Sequence, residues 1–163
     1  MIILGIDPGT ATTGYGVILA KSLKSKDKDN FQCLSYGSIR TSPEMEMPQR
    51  LKKIYNELTQ LLKTHHPKIM VVERLFFFNN MKTAMPVSQA KGVILLTAAK
   101  KNIPVHEFTP PQVKMLIAGS GRAEKIQVQK KVKAIFGMKD IPKPDDAADA
   151  LAIALTYVFA RNA

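Results

Sequence analysis

The first twenty residues, MIILGIDPGTATTGYGVILA (residues 1–20), decide how this sequence folds. An apolar run at residues 2–6 stops at Asp7-Pro8-Gly9-Thr10, a pattern typical of a buried strand that ends in a turn. A second strand is indicated at residues 15–19, where Gly14 and Gly16 allow another part of the backbone to approach closely. The two strands are predicted to pair as a hairpin, with Asp7 at the end of the first strand.

Strands and helices alternate along the rest of the chain. The predicted elements are a lysine-rich loop at 21–30, strands at 31–41, 69–72 and 103–105, and helices from about 48 to 65 and at 87–99, 111–117, 123–136 and 147–159. A strand, helix, strand order implies parallel pairing. The predicted fold is therefore an α/β fold with a mixed five-stranded sheet and helices on both faces, and this order resembles the ribonuclease-H-like fold.

Length and composition restrict the class of protein. The 163 residues, 45% of them hydrophobic, are enough for a single domain covering residues 1–163. The apolar opening, residues 1–6, is too short for a secretion signal or a membrane span, and Cys33 is the only cysteine, so we expect a cytoplasmic protein without disulfides. Lysine and arginine number 24 against 13 acidic residues, and the net charge of +11 favours a nucleic-acid partner.

The few acidic residues stand at positions that bring them together. Asp7 and Glu73 each lie at the carboxyl end of a predicted strand, which is the edge of an open α/β sheet where ligand sites gather. Asp146 and Asp149 are three residues apart at the start of the last helix, so both can project from one face toward that edge. We therefore expect four carboxylates to converge.

Simpler interpretations remain open for three of these four acids. Asp7 precedes Pro-Gly and is also a good turn former. Asp145, Asp146 and Asp149 can serve only to cap a helix and compensate its dipole. Glu73 is harder to explain in this way, because it ends a run of apolar residues where an unpaired charge would be costly.

A cluster of carboxylates needs a cation, because neighbouring negative charges raise each other's pKa. Oxygen ligands without histidine or cysteine suit a hard cation such as Mg²⁺, and Mn²⁺ is expected to substitute. Two such ions, roughly 3.5–4 Å apart, would activate water and stabilise the leaving oxygen of a phosphodiester. Hydrolysis of a nucleic-acid backbone is the expected reaction.

Longer blocks of sequence add more than the spacings. They are GIDPGT (5–10), TGYGVI (13–18), VERLF (72–76), QAKG (89–92), PQVK (111–114), AEK (123–125) and DAADALA (146–152). In this order they resemble the RuvC family of bacterial Holliday-junction resolvases, and they span nearly the whole chain.

The resemblance implies a homodimer that binds a four-way DNA junction and makes two symmetric nicks, one per subunit. It implies that Asp7, Glu73, Asp146 and Asp149 are the catalytic, metal-binding carboxylates, and the RuvA-RuvB branch-migration complex is the implied protein partner. Residues implied to contact DNA are Lys114 and Lys125, near the backbone or active centre, and Phe76, which would stack on an opened base.

Some residues near these motifs have no assigned role. Phe77 and Phe78 follow Phe76 and fit burial or an interface as well as a DNA contact, and Asn79 stands where the family usually has a lysine. His65, His66 and His106 match no motif and are interpreted as helix-end or surface residues.

Three other classes of protein share part of this pattern. Actin-like ATPases and sugar kinases share the opening turn. They need two such domains to close over a nucleotide, and 163 residues have room for one. A ribonuclease-H-like nuclease that acts on ribosomal RNA precursors shares the opening and should lack the block at 146–152 combined with Lys114 and Lys125. A non-catalytic junction-binding protein would keep the basic surface and would have no reason to keep the acids.

Overall fold

A computed structural model of the chain describes residues 1–74 and 81–162, and for residues 81–83 it describes the backbone alone. The strands are β1 (Ile2–Asp7), β2 (Thr12–Ala20), β3 (Phe31–Arg40), β4 (Ile69–Glu73) and β5 (Val105–Phe108). The α-helices are α1 (Met47–His65), α2 (Met81–Lys100), α3 (Pro110–Ala118), α4 (Lys125–Ile135) and α5 (Asp145–Ala160).

The strands form one mixed sheet in the order β3-β2-β1-β4-β5. The first three strands are an antiparallel meander, while β1 pairs with β4, and β4 with β5, in parallel. The parallel pairs follow from the crossover helices α1 and α2, because two parallel strands cannot be joined by a tight turn. The predicted hairpin and the mixed five-stranded sheet are confirmed.

Helices cover both faces of the sheet, as predicted. On one face α5 packs across the central strands and is flanked by α3 and α4; its core includes Val113, Val132 and Leu155. On the other face α1 and α2 pack together; their core includes Ile54, Leu58 and Ile94. In the described part of the chain, no helix is both long and apolar enough to cross a bilayer.

Close contact between α5 and the hairpin depends on a residue without a side chain. A Cβ atom on Gly5 would lie 2.7 Å from the backbone nitrogen of Ala154 and 2.9 Å from its Cβ. Glycine therefore lets the helix lie almost directly on β1. This contact brings α5 close to β1, the strand that ends at Asp7.

Several predicted boundaries were wrong, and the shifts at β5 and α2 are the most informative. The last strand begins at Val105 and not at residue 103, because the amide of Ile103 donates to the carbonyl of Ala98 and closes the end of α2. The helix before it begins at Met81 and not at residue 87, so Pro86 lies inside α2, where it donates no backbone hydrogen bond.

Candidate functional site

Two acidic side chains meet where β1 and β4 end. Asp7 is the last residue of β1 and Glu73 is the last residue of β4. The two strands are parallel neighbours, and Ile6 lies opposite Val72 in their register. The acids that follow this pair therefore lie side by side at the carboxyl edge of the sheet, as their positions in the sequence predicted.

Helix α5 brings Asp146 over the same edge. Gly14 is the register partner of Asp7 on β2, and a Cβ atom there would lie 3.0 Å from the Cβ of Asp146. Asp149 follows one turn later on the same side of the helix. The absence of a side chain at Gly14 thus allows the first turn of α5 to lie directly above the pair formed by Asp7 and Gly14.

The carboxylates repel one another. Burial raises the pKa of Asp7 well above its usual value, and the negative charges of Glu73, Asp149 and Asp146 raise it further, in that order. Burial, followed by the charge of Asp149, raises the pKa of Glu73 from 4.5 to about 7. The pKa of Asp149 is also raised, first by burial, although Lys125 acts against the shift. The edge therefore carries negative charge that its own surroundings do not fully neutralise.

Two lysines lie beside the acids. Lys125 Nζ is 2.7 Å from a carboxylate oxygen of Asp149. Burial lowers the pKa of Lys125, but the hydrogen bond and charge of Asp149 outweigh this effect and the pKa is raised overall. Lys114, on α3, lines a cleft of about 220 Å³ together with Glu73, Lys125 and Asp149. Two positively charged side chains thus lie beside the acidic edge.

Asp145 differs from the other acids of α5. Its side chain is exposed and pairs with Lys143 at 2.8 Å. The hydrogen bond from Lys143 lowers the pKa of Asp145, which is the opposite of the shift seen at Asp149. These surroundings are consistent with the interpretation that Asp145 is not part of the candidate site.

The chemistry of the acidic edge fits a hard divalent cation. Every candidate ligand is a carboxylate oxygen, and burial together with the neighbouring negative charges raises the pKa of Asp7. Among the described residues, no three His, Cys, Asp or Glu side chains already form a closed set of metal ligands. The carboxylates would therefore have to turn toward a shared cation, and Asp149 would exchange its contact with Lys125.

One acidic residue near the edge was missed by the sequence analysis. Glu107, on β5, forms ion pairs with Lys91 of α2 and Arg74, the residue after Glu73. Its register partner is Val72, whose side chain lies in the core beneath α1 and α2. Glu107 therefore lies on the face opposite α5. No pattern in the sequence indicated Glu107, because it lies beyond the strand predicted at residues 103–105.

The other residues singled out in the sequence fall into three groups. Phe76, Phe77, Phe78 and Asn79 lie outside the described residues. His65 ends α1, and His66 follows it in a left-handed conformation. His106 is exposed, and its ring lies 4.8 Å from that of Tyr157. The interpretation of the three histidines as helix-end or surface residues is therefore confirmed. Cys33 is half-buried against the α5 side of the core, and burial raises its pKa to about 11.

The sheet order and the acidic ends of β1 and β4 place the chain in the ribonuclease-H-like class of α/β proteins. A family model described as "Crossover junction endodeoxyribonuclease RuvC" matches residues 3–157. The chain therefore belongs to the RuvC family.

Individual relatives agree with this assignment. The RuvC of Caldicellulosiruptor saccharolyticus is 44% identical over 99% of this chain and 95% of its own length. That of Syntrophomonas wolfei is 49% identical over 97% of this chain and 88% of its own length.

Solved structures show the same similarity. The structure described as T. thermophilus RuvC in complex with Holliday junction substrate has a TM-score of 0.89 and 35% identity, covering 99% of this chain and 95% of that one. The yeast mitochondrial Holliday junction resolvase Ydc2 has a TM-score of 0.66 at 16% identity, over 98% of this chain and 79% of that one, and shows the fold alone.

Proposed function

We propose that this chain is a structure-specific endonuclease that resolves four-way (Holliday) DNA junctions by paired symmetric nicks during recombination and repair. The observation that carries the proposal is the meeting of Asp7, Glu73 and the first turn of α5 at one sheet edge, beside two lysines. Membership of the RuvC family supports the substrate, because a relative of the same fold was solved with a Holliday junction. The net charge of +11 suits binding to DNA.

The residues that would hold divalent metal are Asp7, Glu73, Asp146 and Asp149. We propose Mg²⁺ as the resident ion, two per active site, with Mn²⁺ as a substitute. When bound there, such ions lower the pKa of an attacking water and stabilise the leaving oxygen of the phosphodiester. A noncatalytic junction-binding protein would have no use for this costly set of half-buried negative charges.

The lysines would act on the DNA backbone. Lys114 lines the cleft beside Glu73 and would bind a phosphate oxygen there. Lys125 would leave Asp149 and stabilise negative charge on the reacting phosphate, since its side chain is half-exposed at the cleft. Phe76 is proposed to stack on a base opened at the junction.

We further propose that the active unit is a homodimer of single-domain subunits, each comprising residues 1–163, in the cytoplasm. Each subunit would supply one active site, so that the two-fold symmetry of the dimer matches the two nicks. Branch migration would be supplied by the RuvA-RuvB complex as the protein partner.

A cleavage assay tests the proposed activity. A labelled four-way junction and a linear duplex of matched sequence are incubated with the protein in Mg²⁺ or in chelator. We expect symmetric nicks in the junction alone, and only with Mg²⁺. Cutting of both substrates alike, or cutting in chelator, would contradict the proposal.

Two variants provide the matched comparison. Asp7→Asn should slow cutting by more than about 100-fold, because even a change to a residue that only supports a metal ligand costs about 10–100-fold. It should leave junction binding intact, since phosphate contacts come from the lysines. Asp145→Asn alters the exposed neighbour and should cut normally. Loss of binding in Asp7→Asn would count against separate binding and catalytic roles.

A further inference from the structure

A chain of hydrogen bonds ties the first turn of α1 to the turn that follows Asp7. Arg50 Nε donates to the hydroxyl of Thr41 at 2.7 Å, and that hydroxyl donates to the carbonyl of Thr10 at 2.6 Å. The backbone amide of Thr41 donates to the carbonyl of Ala11 at 3.0 Å. Because Thr41 is buried, the guanidinium is held in a defined place beside the β1–β2 turn.

The charge of Arg50 has no partner within the part of the chain that the structure describes. Arg74, Lys91 and Lys125 all lie within 4.0 Å of a carboxylate oxygen, and Arg50 does not. Only its Nε–H is used by Thr41, which leaves the two terminal nitrogens to bind an anion. A guanidinium in this state is well suited to a phosphate, which it can bind through two parallel hydrogen bonds.

Its position relates Arg50 to the acidic edge. Thr41 follows β3, whose last residue pairs with Thr12 at the end of the sheet where Asp7 lies. Helix α1 packs on the face opposite α5, so Arg50 lies across the sheet edge from Lys114 and Lys125. A DNA strand that crosses the edge would therefore meet cationic side chains on both sides of the carboxylates.

We propose that Arg50, held by Thr41, binds a backbone phosphate of the DNA on the α1 side of the sheet edge. This inference rests on the proposed function, because it names a further contact to the same substrate. The contact would fix the strand on the side away from Lys114 and Lys125. It would also link DNA binding to the turn that follows Asp7.

The salt dependence of binding distinguishes this contact from a structural role. Binding of a fluorescent four-way junction is measured by anisotropy in chelator between about 50 and 200 mM salt. Arg50→Gln keeps a hydrogen-bond donor for Thr41 and removes the charge. We expect the slope of log K against log salt to become shallower by about 0.9, with about eightfold weaker binding near 0.1 M salt.

Two further variants complete the comparison. Arg50→Lys keeps the charge and should restore most of the slope. Lys63→Gln removes an exposed charge at the far end of α1, roughly 20 Å along the helix, and should leave the slope unchanged. An unchanged slope in Arg50→Gln while the wild type binds would overturn the inference. A wild type that does not bind the junction would instead overturn the proposed function, and this inference with it.

Discussion

At the scale of single residues, Glu73 shows how the candidate site opposes stability. Folding raises its pKa from 4.5 to about 7, because burial and the charge of Asp149 disfavour the ionised form. The folded chain therefore binds a proton more tightly than the unfolded chain does. The stability that results is fully present below pH 4.5 and is lost as the pH rises through 7.

Glu73→Gln should consequently stabilise the metal-free protein at pH 8. The expected gain is on the order of 2 kcal/mol after allowing for partial solvent exposure, and it should nearly vanish at pH 4. Urea unfolding in chelator at the two pH values measures it. The same variant should lose most of the stabilisation that Mg²⁺ gives the wild type. An equal effect at both pH values would show that the carboxylate is not the cause.

Sequence patterns located the acids and missed the hydrogen bonds that join Arg50, Thr41 and Thr10, for a physical reason. Asp7 and Glu73 were predictable because each ends a strand, and strand ends are visible in the alternation of apolar residues and turn residues. The hydrogen bond from Thr41 to the carbonyl of Thr10, which holds Thr41 in place beneath Arg50, joins residues 31 positions apart, and no local pattern predicts it. Only the folded chain shows that contact.

At the scale of elements, the position of α5 on the hairpin determines where its aspartates lie. A Cβ atom on Gly14 would lie 2.6 Å from the carbonyl carbon of Asp146, well inside contact distance. Gly14→Ala should therefore push α5 away from β2, with a loss of about 1–3 kcal/mol in stability. Cutting should be lost although every carboxylate is still present.

The control for this change is another glycine. Gly121→Ala places its Cβ 3.4 Å from the nearest backbone oxygen, an ordinary contact, and should change stability little. Thermal unfolding and single-turnover cutting are measured for both variants. Normal cutting by Gly14→Ala would mean that the close approach of α5 is not needed to place Asp146.

Element types were more predictable than their ends. Apolar periodicity predicted β3 and α1, while continuous apolar runs predicted β1 and β4, which are buried on both faces. The ends depend on single hydrogen bonds, such as the one that keeps Ile103 within the end of α2. The helix that contains Pro86 also shows that packing can outweigh a local preference.

At the scale of the whole molecule, α2 offers a surface for the proposed homodimer. Met85 and Leu96 are 70% and 57% exposed, and their spacing of three helical turns puts them on one face. Leu96→Glu should place a charge in that surface and weaken the dimer at least tenfold, since burying an unpaired charge costs several kcal/mol. Sedimentation velocity over a range of concentrations measures the effect.

Leu34→Glu, on the exposed part of β3, is the matched control and should remain dimeric. A Leu96→Glu variant that dimerises as strongly as the wild type would place the interface elsewhere.

The net charge predicted the class of partner from composition alone. No periodicity in the sequence indicated which face would join the two subunits of the proposed dimer, because the same apolar pattern occurs on exposed and on buried helix faces.

The central claim is that carboxylates from β1, β4 and α5 hold divalent cations at one sheet edge, and anomalous diffraction from crystals grown with Mn²⁺ tests it most directly. We predict anomalous density among the carboxyl groups of Asp7, Glu73, Asp146 and Asp149, and its loss in Asp7→Asn crystals. Manganese bound elsewhere, or unchanged density at this edge in the Asp7→Asn variant, would contradict the account.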